Sequence, residues 1–126
     1  MTHTIINSAN APAAIGPYSQ ATLHNGIMYV SGQIPLDPQS GELVSGTIEE
    51  ETHQVMKNLF AILQAAGMGF DNVLKCSIFV KDLGNFGKIN EVYGSYFPAN
   101  PPARETVEVS RLPKDVNVEI SCIAAL

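Results

Sequence analysis

Positive charge is scarce in this chain. Its 126 residues include 7 Lys and Arg against 12 Asp and Glu, a formal net charge of -5, and the basic residues form no cluster. That balance argues against a protein that binds nucleic acid by neutralising phosphates. Long apolar runs are also missing, since none approaches the ~18 residues that a spanning helix needs. The opening residues Met1-Thr2-His3-Thr4 lack a basic segment followed by an apolar one, so no secretory leader is expected and the cytoplasm is the expected location. The two cysteines, Cys76 and Cys122, stand outside any metal-ligand spacing, and His3, His24 and His53 are scattered. No metal site and no cofactor are expected on that pattern. Each cysteine sits inside an apolar alternation and reads as a small buried hydrophobe, with no disulfide expected in a reducing compartment.

What is present is enough for one domain over residues 1–126. Apolar residues make up 45% of the chain and charged residues 15%, a composition that can bury a real core. No repeat, low-complexity tract or linker interrupts it.

Residues 18–23 and 27–32 read as strands, and His24-Asn25-Gly26 between them carries the Asn-Gly hairpin signal. The clearest helix follows. Thr47 is a good N-cap with Glu50 three residues on, as in a capping box. Ile48, Thr52, Val55, Met56, Leu59, Phe60, Leu63 and Ala66 then keep helical spacing, and Gly67 can close the helix in a left-handed conformation. Residues 73–80 read as a strand and about 85–97 as a second helix, with Phe86, Ile89, Tyr93 and Phe97 inward. Pro98, Pro101 and Pro102 forbid further helix. Two more strands are expected near 104–110 and 116–125, joined by a turn at Leu112-Pro113-Lys114-Asp115. The alternation of strands and helices predicts two parallel crossovers. Both helices then cover one sheet face, and something else must cover the other.

Along 104–110, Val107 and Val109 alternate with Arg104, Thr106, Glu108 and Ser110. Along 116–124, Val116, Val118, Ile120, Cys122 and Ala124 alternate with Asn117, Glu119, Ser121 and Ile123. If each strand turns its apolar set to the helices, Arg104 and Glu119 project together from the helix-free face. That face is polar without being uniformly charged, which fits a surface that meets other copies of the chain in a closed oligomer. An arginine there can grip a carboxylate with its planar fork, and a nearby glutamate can handle a proton of water. The pattern equally allows Arg104 simply to pair with Glu119 or Glu108.

Residues 102–120, Pro-Ala-Arg-Glu-Thr-Val-Glu-Val-Ser-Arg-Leu-Pro-Lys-Asp-Val-Asn-Val-Glu-Ile, closely resemble the signature of the reactive intermediate deaminase (RidA) family. The resemblance extends to Ala14-Ile15-Gly16-Pro17-Tyr18-Ser19-Gln20-Ala21, to Val30-Ser31-Gly32-Gln33-Ile34-Pro35, and to Ile89-Asn90-Glu91-Val92-Tyr93 with Tyr96-Phe97. It implies a chorismate-mutase-like α/β (α+β) fold, with a mixed six-stranded sheet, two helices on one face and assembly as a trimeric barrel. It also implies hydrolysis of 2-iminobutanoate and 2-iminopropanoate, without cofactor, in pockets at the homotrimer's subunit interfaces. Position by position, Arg104 matches the arginine that grips the carboxylate and Glu119 the glutamate that positions water. Tyr18, Ser31, Gly32 and Asn90 match pocket-lining residues. Thr106, also read as pocket lining, stands where some members carry cysteine, which weakens any proposal of thiol chemistry there. Three other functions stay open at this point: a non-catalytic module that binds small carboxylates, an endoribonuclease or translation inhibitor, and a sibling deaminating activity such as one on a pyrimidine-catabolism intermediate.

Overall fold

The structure is a computed structural model, and it describes residues 2–126. In chain order the elements are β1 (Thr4–Ile6), β2 (Ala21–His24), β3 (Ile27–Gln33), α1 (Ile48–Ala65), β4 (Val73–Val80), α2 (Phe86–Ser95), β5 (Ala103–Glu108) and β6 (Val118–Ala125). The strands form one mixed sheet in the order β1-β2-β3-β6-β4-β5.

Local chemistry explains most of these boundaries. Asn25 and Gly26 both adopt positive φ, 51° and 77°, as the tight turn between β2 and β3 requires. The Thr47 side chain accepts the Glu50 backbone N–H at 3.1 Å and starts α1. At the other end Gly67 takes φ 73°. There Gly67 N–H donates to the Gln64 carbonyl and Met68 N–H to the Leu63 carbonyl, each at 2.9 Å, so the last carbonyls are satisfied. No helix among the described residues is long and apolar enough to cross a membrane.

β5 pairs with β4 in parallel across α2. β3 and β4 are each antiparallel to β6, hence parallel to one another across α1, with β6 inserted between them. Both expected parallel crossovers are therefore present. The last two strands, joined by the turn at 112–115, share the sheet but are not neighbours, because β4 lies between them.

The core lies between the helices and one sheet face. Met28, Val30, Cys76, Ile78, Val80, Val118, Ile120 and Cys122 meet Val55, Met56, Leu59, Ile62 and Leu63 of α1 and Ile89 and Tyr93 of α2. Each large aliphatic buried this way contributes about 1.5–3 kcal/mol of transfer free energy. Phe60, expected inward, is instead 38% exposed and stacks on Phe70 at 5.5 Å between ring centroids. Cys76 and Cys122 are direct cross-strand partners, free and buried. Burial raises the Cys76 thiol's pKa and pushes that of Cys122 up to about 12, so both stay protonated as hydrophobic filling.

The opposite face carries Thr22, Tyr29, Ser77, Phe79, Glu105, Val107, Glu119, Ser121 and Ile123, which share it by strand register. Tyr29 and Val107 are 50% and 41% exposed there.

The expected placement of Arg104 is overturned by the same register. Arg104 is paired with Cys76 and Thr106 with Ile78, both core-facing, whereas Glu119 is paired with Phe79 on the open face. Arg104 and Glu119 thus point to opposite sides of the sheet. The parity argument failed because β4 separates β5 from β6, so the turn at 112–115 does not set their relative register. β5 is also an edge strand, and its exposed Val107 turns to the open face while its polar set meets α2.

Candidate functional site

The sequence-identified residues gather into two groups, one on each side of the sheet. The first is built around a break in strand pairing. Val30 pairs with Cys122 and Gln33 with Ile120, so Ser31 and Gly32 together oppose the single residue Ser121. Such a bulge re-aims the backbone locally. Glu119 folds across it. A Cβ built on Gly32 would stand 2.5 Å from Glu119 Oε2, closer than any real side chain tolerates. Glycine leaves room for the carboxylate over its Cα; a side chain here would displace the end of Glu119.

A cleft of about 500 Å³ opens at this point, lined by Ile15, Tyr18, Ser31, Gly32, Lys114 and Glu119 among others. Burial raises the Glu119 pKa above the usual carboxylate value. The Ser31 hydroxyl donates to the Ser19 carbonyl at 2.6 Å, and so fixes the strand that follows the lip. The lip itself is tied down by Gln20. That buried amide accepts the Ser8 N–H at 2.6 Å and donates to the Ser8 and Pro12 carbonyls at 3.1 and 2.8 Å. Beyond this latch Ile15 and Tyr18 stand 83% and 54% exposed.

The second group lies where β5 meets α2. Arg104 Nη1 donates to Asn90 Oδ1 at 2.5 Å. Its guanidinium carbon also lies 5.2 Å from the ring centroids of both Phe86 and Tyr93. Asn90, Tyr93, Gly94, Phe97, Pro101, Pro102 and Arg104 line a cleft of about 350 Å³. The alternative pairings of Arg104 are not realised. Glu108 accepts the Leu83 N–H at 2.9 Å, and Glu119 is on the other face. The two ion pairs among the described residues are Lys75–Glu105 and Lys81–Asp115, each at 3.0 Å. In an acidic chain, an arginine held by neutral groups beside a cleft keeps its full charge for an anion.

Two buried hydroxyls on this side lack a hydrogen-bond partner, those of Thr106 and Tyr93. The Tyr93 hydroxyl lies beside the Cys76 thiol, a weak sulfur partner, without reaching good geometry. Burial and that thiol raise its pKa, while Arg104's charge pulls the other way. Among the described residues no group of three or more His, Cys, Asp or Glu is placed to hold a metal ion. Sequence reasoning placed Arg104, Glu119, Tyr18, Ser31, Gly32, Asn90 and Thr106 in one pocket. Within a single chain the structure brings Arg104 together with Asn90, and Glu119 with Tyr18, Ser31 and Gly32, on opposite sides of the sheet. Sequence reasoning missed Phe86 and Tyr93 as neighbours of Arg104, although their seven-residue spacing places them on one helix face. It also missed Ile15 and Lys114 at the Glu119 cleft.

The fold and its clefts define a small α+β protein with an arginine held by neutral groups beside a cleft on one side of its sheet and a partly desolvated carboxyl in a cleft on the other. The comparisons make that class specific. The sequence profile of the family described as Endoribonuclease L-PSP matches residues 8–126. A RutC family protein of Pyrococcus horikoshii is 51% identical over 95% of each chain. The human protein named 2-iminobutanoate/2-iminopropanoate deaminase is 48% identical over 95% of this chain and 88% of its own. Among solved structures, the Rid family protein YyfA of Yersinia pestis is 49% identical with a TM-score of 0.96, covering 98% of this chain and 99% of its own. TdcF of E. coli, solved with bound serine, is 40% identical with a TM-score of 0.93, covering 98% of each chain. The chain belongs to the Endoribonuclease L-PSP family, also known as the RidA family.

Proposed function

We propose that the chain hydrolyses the imines of small 2-oxo acids, 2-iminobutanoate and 2-iminopropanoate, to 2-oxo acids and ammonia. The observation that carries this is Arg104, which faces a cleft with no carboxylate of its own chain to neutralise it. A substrate carboxylate supplies the missing partner, held by two parallel hydrogen bonds. The mammalian relatives named for this activity and the serine bound in TdcF, a small molecule that also carries a carboxylate and an amine, point the same way.

Protonation of the imine nitrogen makes the adjacent carbon electrophilic. Water adds there and gives one proton to Glu119. Glu119 returns it to the carbinolamine nitrogen, and as the C–N bond breaks and ammonia leaves, Glu119 takes the hydroxyl proton and the C=O forms. A carboxyl with a raised pKa is suited to these proton transfers. Its position over Gly32 leaves the backbone close enough to stabilise charge on the adding oxygen.

Arg104 and Glu119 cannot serve one substrate from opposite faces of a single sheet. The reading therefore requires that the Arg104 cleft of one copy close against the Glu119 cleft of the next, in a homotrimer. The exposed Ile15 and Tyr18 at the lip, and Tyr29 and Val107 on the open face, are apolar surface that such an assembly would cover.

The test generates 2-iminobutanoate from threonine with a dehydratase and traps it as the semicarbazone. The purified protein should slow trapping by consuming the imine, and Arg104→Ala should remove the effect. Arg104→Lys should recover only part of it, since an ammonium lacks the planar fork. Unchanged trapping in the presence of the native protein would discard the enzymatic reading in favour of a carboxylate-binding module. RNA cleavage that survives Arg104→Ala would favour the endoribonuclease reading.

A further inference from the structure

We infer that one face of α2, formed by Phe86, Asn90 and Tyr93, is a neutral cradle that positions the Arg104 guanidinium without neutralising it, so that Phe86 and Tyr93 are positioning residues for carboxylate binding. The inference rests on the reading of Arg104 as the carboxylate anchor.

The three residues are spaced four and then three apart, so they form a single stripe along two helical turns. That stripe meets β5 at Arg104. Asn90 supplies one acceptor at 2.5 Å, and the Phe86 and Tyr93 rings each meet the guanidinium carbon at 5.2 Å. Ring faces attract a cation through their quadrupole and carry no net charge. A free arginine side chain on an edge strand has many rotamers, and freezing them on binding costs affinity. Here the contacts to the helix stripe hold the group before a ligand arrives. The guanidinium lies against two rings, one N–H is occupied by an amide oxygen, and the remaining donors are left for the ligand. A carboxylate in place of Asn90 would hold the arginine at least as firmly and cancel the charge that a carboxylate ligand needs. The neutral amide is therefore part of the selectivity.

The arrangement also accounts for a feature the core does not explain. Phe86 is only half-buried at the start of α2, where packing alone would favour a shorter aliphatic. There it presents an aromatic face to the cation, as the Tyr93 ring does.

The probe is 2-oxobutanoate, the stable product of the proposed reaction. Its dissociation constant is measured by calorimetry, beside KM and kcat on imine generated in situ. Phe86→Leu should raise both the dissociation constant and KM roughly tenfold while leaving kcat within about twofold, because the ring acts equally on ground and transition states. Phe86→Tyr, which restores a ring, should restore both. Asn90→Asp should weaken 2-oxobutanoate binding more than Phe86→Leu does, with an unchanged melting temperature. In the free protein, slow rotation of the Arg104 guanidinium by NMR should be lost in Phe86→Leu and kept in Asn90→Asp. If Phe86→Leu binds as tightly as the native protein, or Phe86→Tyr fails to restore binding, the positioning role is wrong and the carboxylate anchor stands. If the native protein does not bind 2-oxobutanoate and Arg104→Ala changes nothing, the anchor itself is wrong and the cradle falls with it.

Discussion

The two halves of the candidate site hold their charges by opposite means. Arg104 is braced from one side: two rings and an amide of α2 contact its guanidinium while the residue stays exposed. Glu119 is accommodated: it lies over a glycine at a strand bulge, and what fixes it is the space that a missing Cβ leaves. The difference follows from the chemistry of each group. A guanidinium keeps its charge in any environment, so close neutral contacts cost it nothing but freedom. A carboxylate responds to its surroundings, and partial removal from water, without a cation beside it, moves its proton affinity toward the range where acid–base work is done. In the proposed function, recognition falls to one half and reaction to the other.

The sharpest test of that division is to separate the halves. Arg104→Ala and Glu119→Gln should each reduce imine hydrolysis by roughly a hundredfold or more. If the two groups come from different copies, mixing the inactive variants under conditions that exchange subunits should recover up to about one quarter of native activity, the fraction of interfaces that by chance pair an intact Arg104 with an intact Glu119. No recovery would mean that the halves do not meet across copies. A smaller effect is expected from Gly32→Ala. Its Cβ would collide with the end of a flexible side chain, so the protein should fold while the carboxylate is displaced, with kcat/KM down roughly ten- to a hundredfold. Circular dichroism and kinetics together check this.

Glu119 also makes a prediction about stability. Its folded pKa lies above the ordinary value, so the native state holds this proton more tightly than the unfolded chain does. Stability should therefore fall as pH rises from the ordinary carboxylate value through the raised one. Glu119→Gln should remove that part of the slope, leaving the variant more stable than the native protein above this window, as urea midpoints across the pH range would report. Activity of the native protein should rise over the same window as the carboxylate forms. The smallest effect belongs to the recognition side. Thr106 has a buried hydroxyl without a partner, and Thr106→Val should stabilise the protein by about 1 kcal/mol in urea unfolding.

How much of this was legible in the sequence depended on how each segment is buried. α1 and β4 are buried along one whole side, so their periods and end signals read cleanly: Thr47, Gly67 and the span Val73–Val80 all stand where the pattern puts them. β6 shows strict alternation because every second residue is in the core. β5 does not, since it lies at the sheet edge with only Thr106 partly covered. Alternation along such a strand separates two sets of side chains without saying which set faces inward, and the guess that Val107 and Val109 do was the error that misplaced Arg104. β1, three residues with two exposed, leaves no period to detect. The choice of site residues did not depend on this mistake, because they were identified by resemblance, position by position, independently of strand parity. Phe86 and Tyr93 were hidden for another reason: an aromatic at helical spacing looks the same whether it fills a core or faces a cation.

The place of β6 has a consequence for how the molecule comes into being. The strand made last sits in the middle of the sheet, so β3 and β4 remain bare along their facing margins until it arrives. During synthesis the growing polypeptide carries two sticky borders with nothing between them, and cannot consolidate until Val118–Ala125 slots in. Maturation is therefore a late, all-at-once event. A nascent chain that lingers before that moment is the form most exposed to aggregation.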